Sequence, residues 1–481
     1  MNLRFVVRVA AGLFALAMIA VPAQALAGKG KSKSDKPLVV CKHGCKYKTI
    51  QSAVDKAKKG AKIYVLKGTY VEGVVVEGKK FNGLSIQGMV EKTKKTKSGK
   101  KKTTYKKAKP QKVVLEGTNA KTPDGSSANN GIEGIDVNDL TVKNMTAQNY
   151  GANGFFVHDS NTADSKITCN DYLFKNDVAD FNRSYGFYAF GCAGGRFTKS
   201  TGFGHGDSAF YIGASPPQED PNWTRIDHVD AYMNVLGYSG TNSRYVTIED
   251  SNWFNNGVGI VPNTLDSEPF EPNADGVIKN NDIYWNNFNY FLPTSPVKTV
   301  SDGLGEVDGA TIQYPTGAGV VLLGSDGWKI QNNNIFGNQK WGVAVISDPF
   351  NEGDDAISSH NQVTDNQMGR SGTDTNAVDF FNQGSGVGNC FSGNTSSTFD
   401  NVSETPAVPD AQLYPPCPTT DAVNPGQTGT SLGNLGQVTA LIEYVTTTPA
   451  DNQECKWTKH AHPSPYEGNE PLVITPGPTC P

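Results

Sequence analysis

Two interleaved series of residues run through the middle of this chain and constrain its fold more than any other feature. In the first, a branched apolar residue is followed two places later by Asn, Asp or His: Val142 and Asn144, Ile226 and His228, Ile248 and Asp250, Ile278 and Asn280, Ile330 and Asn332, Val363 and Asp365, with Ile167 and Phe197 fitting more loosely. The second starts at Gly154, Gly186, Ala209, Gly237, Gly259, Asn289, Gly319, Gly342 and Ala377, each followed by an apolar or aromatic residue. The two keep step, with 11 residues from Ile226 to Gly237, Ile248 to Gly259 and Ile278 to Asn289, and 12 from Ile330 to Gly342. Successive starts recur after 22 or 23 residues, or after about 28 to 35 where a loop intervenes. Alternation with a period of two marks strands with one buried face. Units this short bury a core only by stacking, so the period predicts an all-β parallel solenoid, single-stranded and coiled. With 52 glycines in 481 residues the chain is rich in turns and poor in long helices. Leucine-rich repeats and propellers fit worse, since there is no Leu-x-x-Leu-x-Leu run and no Trp-Asp dipeptide.

Stacking places equivalent residues about 4.8 Å apart, so Asn144, His228, Asp250, Asn280 and Asn332 are expected to form a ladder of turn residues. On this reading His228 is a ladder member rather than a catalyst. An open solenoid needs its end covered. Ile50, Ala53, Val54 and Ala57 fall on one face of a helix predicted over 49–60 and stopped by Gly60, which serves as an N-terminal cap.

Arg4 and Arg8 precede an apolar run from Val9 to Val21, and small residues at Ala23, Ala25 and Ala27 have cleavage spacing, so residues 1–27 are expected to be a signal peptide. The protein is therefore expected to be secreted, monomeric and without a transmembrane segment in its mature form. Eight cysteines follow (41, 45, 169, 192, 390, 417, 455 and 480), as suits disulfides. Cys41 and Cys45 read as a disulfide staple rather than half a zinc site. Cys169 and Cys192 are one coil apart, but the register assigns them to different strands, which counts against a bridge. The coil domain is expected to span 28–401. Thirteen of the 27 prolines lie in residues 402–481, which read as an extended, disulfide-pinned tail.

The formal net charge of −4 conceals an asymmetry: residues 28–112 carry +20 and residues 113–481 carry −26. The densest basic stretch, 91–112, reads as a lysine-rich loop, either solvated or attractive to an anionic polymer such as a uronate polysaccharide or a cell-wall phosphate. Nucleic acid is not expected, since Tyr105 is its one aromatic residue.

The segment Thr49-Ile50-Gln51-Ser52-Ala53-Val54, continuing through Ile63 to Tyr70 and followed by Asn-rich repeats, resembles the start of right-handed parallel β-helix proteins of the pectin-lyase-like superfamily. The resemblance covers roughly 40–400 and implies the fold. The superfamily includes lyases, hydrolases, esterases, epimerases and non-catalytic members, so it leaves the reaction open. Gly204-His205-Gly206 is similar to a polygalacturonase element and Asp354-Asp355 to that family's acid pair, but their order is reversed and they lie too far apart to meet. Tyr185-Gly186-Phe187 resembles the first half of an alginate-epimerase element, with Tyr188, Ala189 and Phe190 where the Asp, Pro and His should follow.

Outward positions in the early coils hold Phe156, His158, Tyr188, Phe190 and Tyr211. Such an aromatic stripe suits a sugar polymer, so Phe156, His158, Phe190 and Tyr211 are the expected substrate contacts. Attack on an acidic polysaccharide by β-elimination or epimerisation needs a cation to neutralise the carboxylate and a base to remove the adjacent proton. Arg183 is the candidate neutraliser, Tyr185, Tyr188 and His205 the candidate acids and bases, and Asp207 the group that orients His205 or holds a cation. No resident metal site is expected, Ca2+ being the ion such chemistry would recruit. The leading expectation is an extracellular polysaccharide as partner, with lyase or epimerase chemistry ahead of hydrolysis. The alternatives are a non-catalytic surface-binding solenoid and a periplasmic β-helix protein that assists metalloenzyme assembly, against which the absence of clustered Cys and His ligands counts.

Overall fold

A computed structural model describes residues 36–395, apart from 96–97, 100, 163–165, 289, 291–296, 298–315, 349–352, 370–374 and 385, together with 414–419. The expected signal peptide, most of the tail, and Cys455 and Cys480 lie outside the described residues. Three long parallel sheets run the length of the described chain, and each coil adds one strand to each sheet in turn. One coil, for example, contributes Thr141–Lys143 to sheet A, Thr146–Gln148 to sheet B and Asn153–His158 to sheet C. The wind is right-handed, the sense strand twist imposes on parallel crossovers.

The predicted register is the observed one. In sheet A, Ile63, Ile86, Val142, Phe174, Phe197, Ile226, Ile248, Ile278, Ile330, Val363 and Phe391 pair in one continuous inward column. Phe174, not Ile167, fills the slot between Val142 and Phe197. In sheet C the column is Phe155, Phe187, Phe210, Tyr238, Ile260, Val320, Val343 and Phe380. One predicted start, Asn289, lies outside the described residues. The last start shifts from Ala377 to Asp379, because Phe380 is the partner of Val343.

What holds the turns is a pair of adjacent residues with different duties. Asn144, His228, Asp250, Asn280, Asn332 and Asp365 all have φ between 50° and 62°, a left-handed conformation that Asn and Asp tolerate better than other side chains. They stack as expected, with His228, Asp250, Asn280, Asn332 and Asp365 exposed and Asn144 buried. The residue after each is buried, and from Ser251 onward these form a second ladder in which a backbone N–H donates to the next coil's amide: Ser251 to Asn281 at 3.2 Å, Asn281 to Asn333 at 3.0 Å and Asn333 to Asn366 at 3.0 Å. The turn from sheet B to sheet C has its own ladder. Asn234 donates to Asn256 at 3.2 Å, Asn256 to Asn286 at 3.3 Å, Asn286 to Asn338 at 3.1 Å and Asn338 to Asn376 at 3.2 Å. This ladder explains the small residue that starts each sheet C strand. A Cβ on Gly259 would lie 2.9 Å from the Asn286 amide nitrogen and 2.5 Å from the Gly319 carbonyl oxygen.

The N-terminal cap is shorter than predicted: the helix covers only Ile50–Val54, with the Thr49 hydroxyl accepting from Ser52 N–H. The Glu72 carboxylate holds its first turn, accepting from Ile50 N–H at 2.8 Å and Gln51 N–H at 3.0 Å. Residues 91–112 are not an irregular loop. Ser85–Lys95 and Lys101–Lys107 pair as an antiparallel hairpin, because alternating Lys and Thr continue the strand past the coil. Cys41 and Cys45 are bridged as expected. Cys169 and Cys192 are bridged too. Cys192 follows the end of a sheet C strand at Phe190 and leads into the sheet A strand Ala193–Thr198, so it shares a level with Cys169, which precedes the paired Asn170. The Cys390–Cys417 disulfide pins residues 414–419 against the last coil, where the Tyr414 hydroxyl donates to Phe380 C=O at 2.8 Å.

Asn286→Ala leaves the buried Asn256 N–H and Trp253 C=O without partners, and each such loss costs about 1–3 kcal/mol. Its urea midpoint should fall accordingly, whereas Asn280→Gly, exposed and already left-handed, should change stability by no more than about 0.5 kcal/mol.

Candidate functional site

The outer face of sheet C carries the predicted aromatic stripe. Pairing aligns Glu133, Phe156, Tyr188, Tyr211 and Ser239 in one column, and Ile135, His158, Phe190 and Gly213 in the next. Phe156 and Tyr188 stack at 4.3 Å, and Tyr188 meets Tyr211 edge-on at 4.8 Å. Tyr185, from the turn entering the strand Phe187–Phe190, packs 4.7 Å from Tyr188 and 4.6 Å from Tyr211. His158 stacks on Phe156 at 4.4 Å and Phe190 meets Tyr188 at 5.8 Å. Six of the nine expected site residues are thus gathered in one cluster.

Its boundaries are set by connections between coils. Phe288, Tyr290 and Val297 pack over Val261, Val321, Ala344 and Phe381, closing the outer face of the later coils. The connection after Asp159 runs along one side, with Thr162 against Gly191 just beyond Phe190. The half-buried surface of these columns therefore runs from Glu133 and Ile135 to Phe156, His158, Tyr185, Tyr188 and Phe190, while Tyr211 is only 3% exposed.

Tyr211 is covered by a residue that the repeat pattern did not single out. Between the strands Val258–Asn263 and Asn273–Ala274 the chain folds back over sheet C. Asn242 fixes that loop, its amide donating to Leu265 C=O at 2.8 Å and Glu268 C=O at 2.7 Å while its oxygen accepts from Leu265 N–H at 3.1 Å. Glu268 consequently reaches Tyr211, whose hydroxyl donates to its carboxylate at 2.8 Å. Burial, reinforced by the charge of Asp207 and opposed by the Tyr211 hydrogen bond, pushes the Glu268 carboxyl up to about 7. Burial and the charge of Glu268 hold Tyr188 and Tyr211 well above the usual phenol range, so both are neutral hydroxyls. Asp207, 3% exposed, acts electrostatically on Glu268 and on Tyr188.

The other predicted residues divide. Arg183 is exposed two residues before Tyr185. His158 Nε2 lies 3.2 Å from Glu133, and hydrogen bonds to Glu133 and the Asp159 carbonyl raise its pKa against the opposing effect of burial. His205 is displaced from the site: it is fully buried and occupies a rung of the asparagine ladder. Its Nδ1 accepts from Asn182 N–H at 3.2 Å, and its backbone N–H donates to Asn234 Oδ1 at 3.0 Å. Burial lowers its pKa to about 4, against hydrogen bonding of the ring to the Asn182 and Ala179 backbones, so the ring is neutral. Asp207 therefore has no exposed imidazole to orient. Glu268 was missed because it lies in an insertion between coils, where no period marks it. Asp354 and Asp355 are exposed in a short 3-10 helix well along the coil, consistent with the separation read from the sequence. Among the described residues, no three His, Cys, Asp or Glu side chains are grouped to hold a metal ion.

This coil is a right-handed parallel β-helix, the fold that the opening segment implied. No protein-family model matches the sequence, and no curated protein does. Among solved structures, the chain is similar to the A-module of the Azotobacter vinelandii mannuronan C-5 epimerase AlgE4, at 13% identity and a TM-score of 0.44, covering 72% of this chain and 90% of that one. It is also similar to the enzymatically active domain of Bacteriophage CBA120 tailspike protein 2, at 10% identity and a TM-score of 0.43, over 74% of this chain and 47% of that one. The alginate lyase from Paenibacillus sp. str. FPU-7 is 12% identical with a TM-score of 0.32, over 69% of this chain and 94% of that one.

Two outcomes test this geometry. His205→Asn should fold with undiminished stability, since it restores the ladder amide, while His205→Ala should lower the urea midpoint. Glu268 has a folded pKa above its unfolded value, so its contribution is complete below about pH 4.5 and is lost as pH rises through about 7. Hydrogen exchange of amides 264–271, corrected for intrinsic rate, should therefore be faster at pH 8 than at pH 6. Glu268→Gln should abolish that difference.

Proposed function

We propose that this is a secreted protein whose sheet C face binds and transforms an acidic polysaccharide, by β-elimination or epimerisation. One observation carries the proposal: a carboxyl group that titrates near neutrality, Glu268, hydrogen-bonded to Tyr211 at the end of an aromatic stack. Ring faces and edges accept the C–H surfaces of pyranose units, and Phe156, Tyr188 and Phe190, with His158 at the margin, provide that surface. A general base is most effective when its pKa is near the working pH, and Glu268 has that property where His205 does not.

In this reading Glu268 removes the proton on the carbon next to the uronate carboxylate. In elimination, the electron pair forms the ring double bond, the neighbouring glycosidic C–O bond breaks and the hydroxyl of Tyr188 or Tyr185 protonates the departing oxygen. In epimerisation, the same hydroxyl returns a proton to the carbon from the opposite face. Arg183 neutralises the uronate carboxylate so that negative charge can develop, with Tyr211 and Asp207 positioning and tuning Glu268.

Incubation of the purified chain with alginate and polygalacturonate, with and without Ca2+, tests this through double-bond absorbance, reducing ends and uronate epimer content. Turnover is expected, with Glu268→Gln lowering kcat by at least about 100-fold and Tyr188→Phe lowering it as well. His205→Asn should retain the wild-type rate. Binding to every polymer without turnover would instead support a purely adhesive role.

A further inference from the structure

The lysine hairpin stands apart from the sheet C face, and its register has a specific consequence. In an antiparallel pair, residues directly opposite each other project on the same side. Val90 faces Lys106, Lys92 faces Thr104, and Lys94 faces Lys102. One side therefore carries Lys92, Lys94, Lys102 and Lys106, all exposed, without an acidic residue among them. Among the described residues none of these four is in an ion pair. Lys92 and Lys94 are about 6.8 Å apart along the strand, and Lys94 and Lys102 about 5 Å apart across it. Like charges directly opposite destabilise a hairpin, and two strands alone are marginal in water. This one is held at its root instead, where Tyr105 packs on Tyr64 at 5.3 Å and Met89 packs with Cys41 and Leu66.

We propose that this hairpin is a cation comb that tethers the protein to an acidic polysaccharide, separately from the sheet C site. A linear polyanion laid along it relieves the repulsion the register builds in. The chemistry favours a polysaccharide over a nucleic acid, because Tyr105 is engaged with Tyr64 and leaves no ring of the hairpin to stack on bases. The comb does not depend on the catalytic reading, and the two fail in different assays.

The test is affinity electrophoresis of the full chain in gels containing alginate, polygalacturonate or neutral dextran over a range of salt. Wild-type protein should be retarded by both uronans and not by dextran, with log affinity falling steeply as log salt rises. The quadruple variant Lys92→Gln, Lys94→Gln, Lys102→Gln, Lys106→Gln should bind at least tenfold more weakly with a shallower salt slope, at an unchanged melting temperature. The corresponding quadruple substitution to Arg, equal in charge, should retain binding, and Tyr188→Ala should leave the salt slope unchanged. Wild-type affinity in the Gln variant would overturn the proposal. So would equal retardation by dextran, or binding to duplex DNA or phosphatidylserine vesicles as tight as to the uronans at equal charge concentration.

Discussion

Many turns of this coil depend on a hydrogen bond made one level away. A turn leaves backbone N–H groups pointing along the axis, inside the protein, where an unmet donor is costly. The side chain of the next coil supplies the acceptor, and an asparagine does so while its own amide donates in turn, as Asn256 does to the Ala231 carbonyl. The ladder therefore satisfies the turns and fixes the vertical register together. It also dictates the small residues beside it, since a Cβ at Gly186 would lie 2.6 Å from His205 Nε2.

From that register follows the position of everything on the surface. Because Phe155, Phe187 and Phe210 lock into one inward column, the alternate residues Phe156, Tyr188 and Tyr211 must stand above one another outside. A regular coil could not by itself supply a carboxyl group with a tuned pKa at that place. That requires an insertion, and the loop anchored on Asn242 brings Glu268 down onto Tyr211. In the proposed function the scaffold provides the binding surface, and the irregular connection provides the reactive group.

The sequence made the scaffold legible because a solenoid is periodic, and a period survives loops of varying length. The exposed turn ladder was readable for the same reason, but its buried neighbour was not separated from it. The doublets Asn255-Asn256, Asn280-Asn281 and Asn332-Asn333 contain both duties side by side, left-handed first and buried second. His205, offered as an acid or base beside the aromatic stripe, instead substitutes for an asparagine inside the coil. The aromatic cluster followed from alternation alone. Glu268 and the Cys169–Cys192 pairing depend on where strands end and insertions return, which no local pattern records.

The most direct measurement is a crystal structure of the Glu268→Gln chain with a short oligouronate. The account predicts sugar rings lying along Phe156 and Tyr188, with the carbon bearing the acidic proton facing residue 268 and the carboxylate turned toward Arg183. An oligouronate bound only elsewhere, with the sheet C cluster still closed, would contradict it.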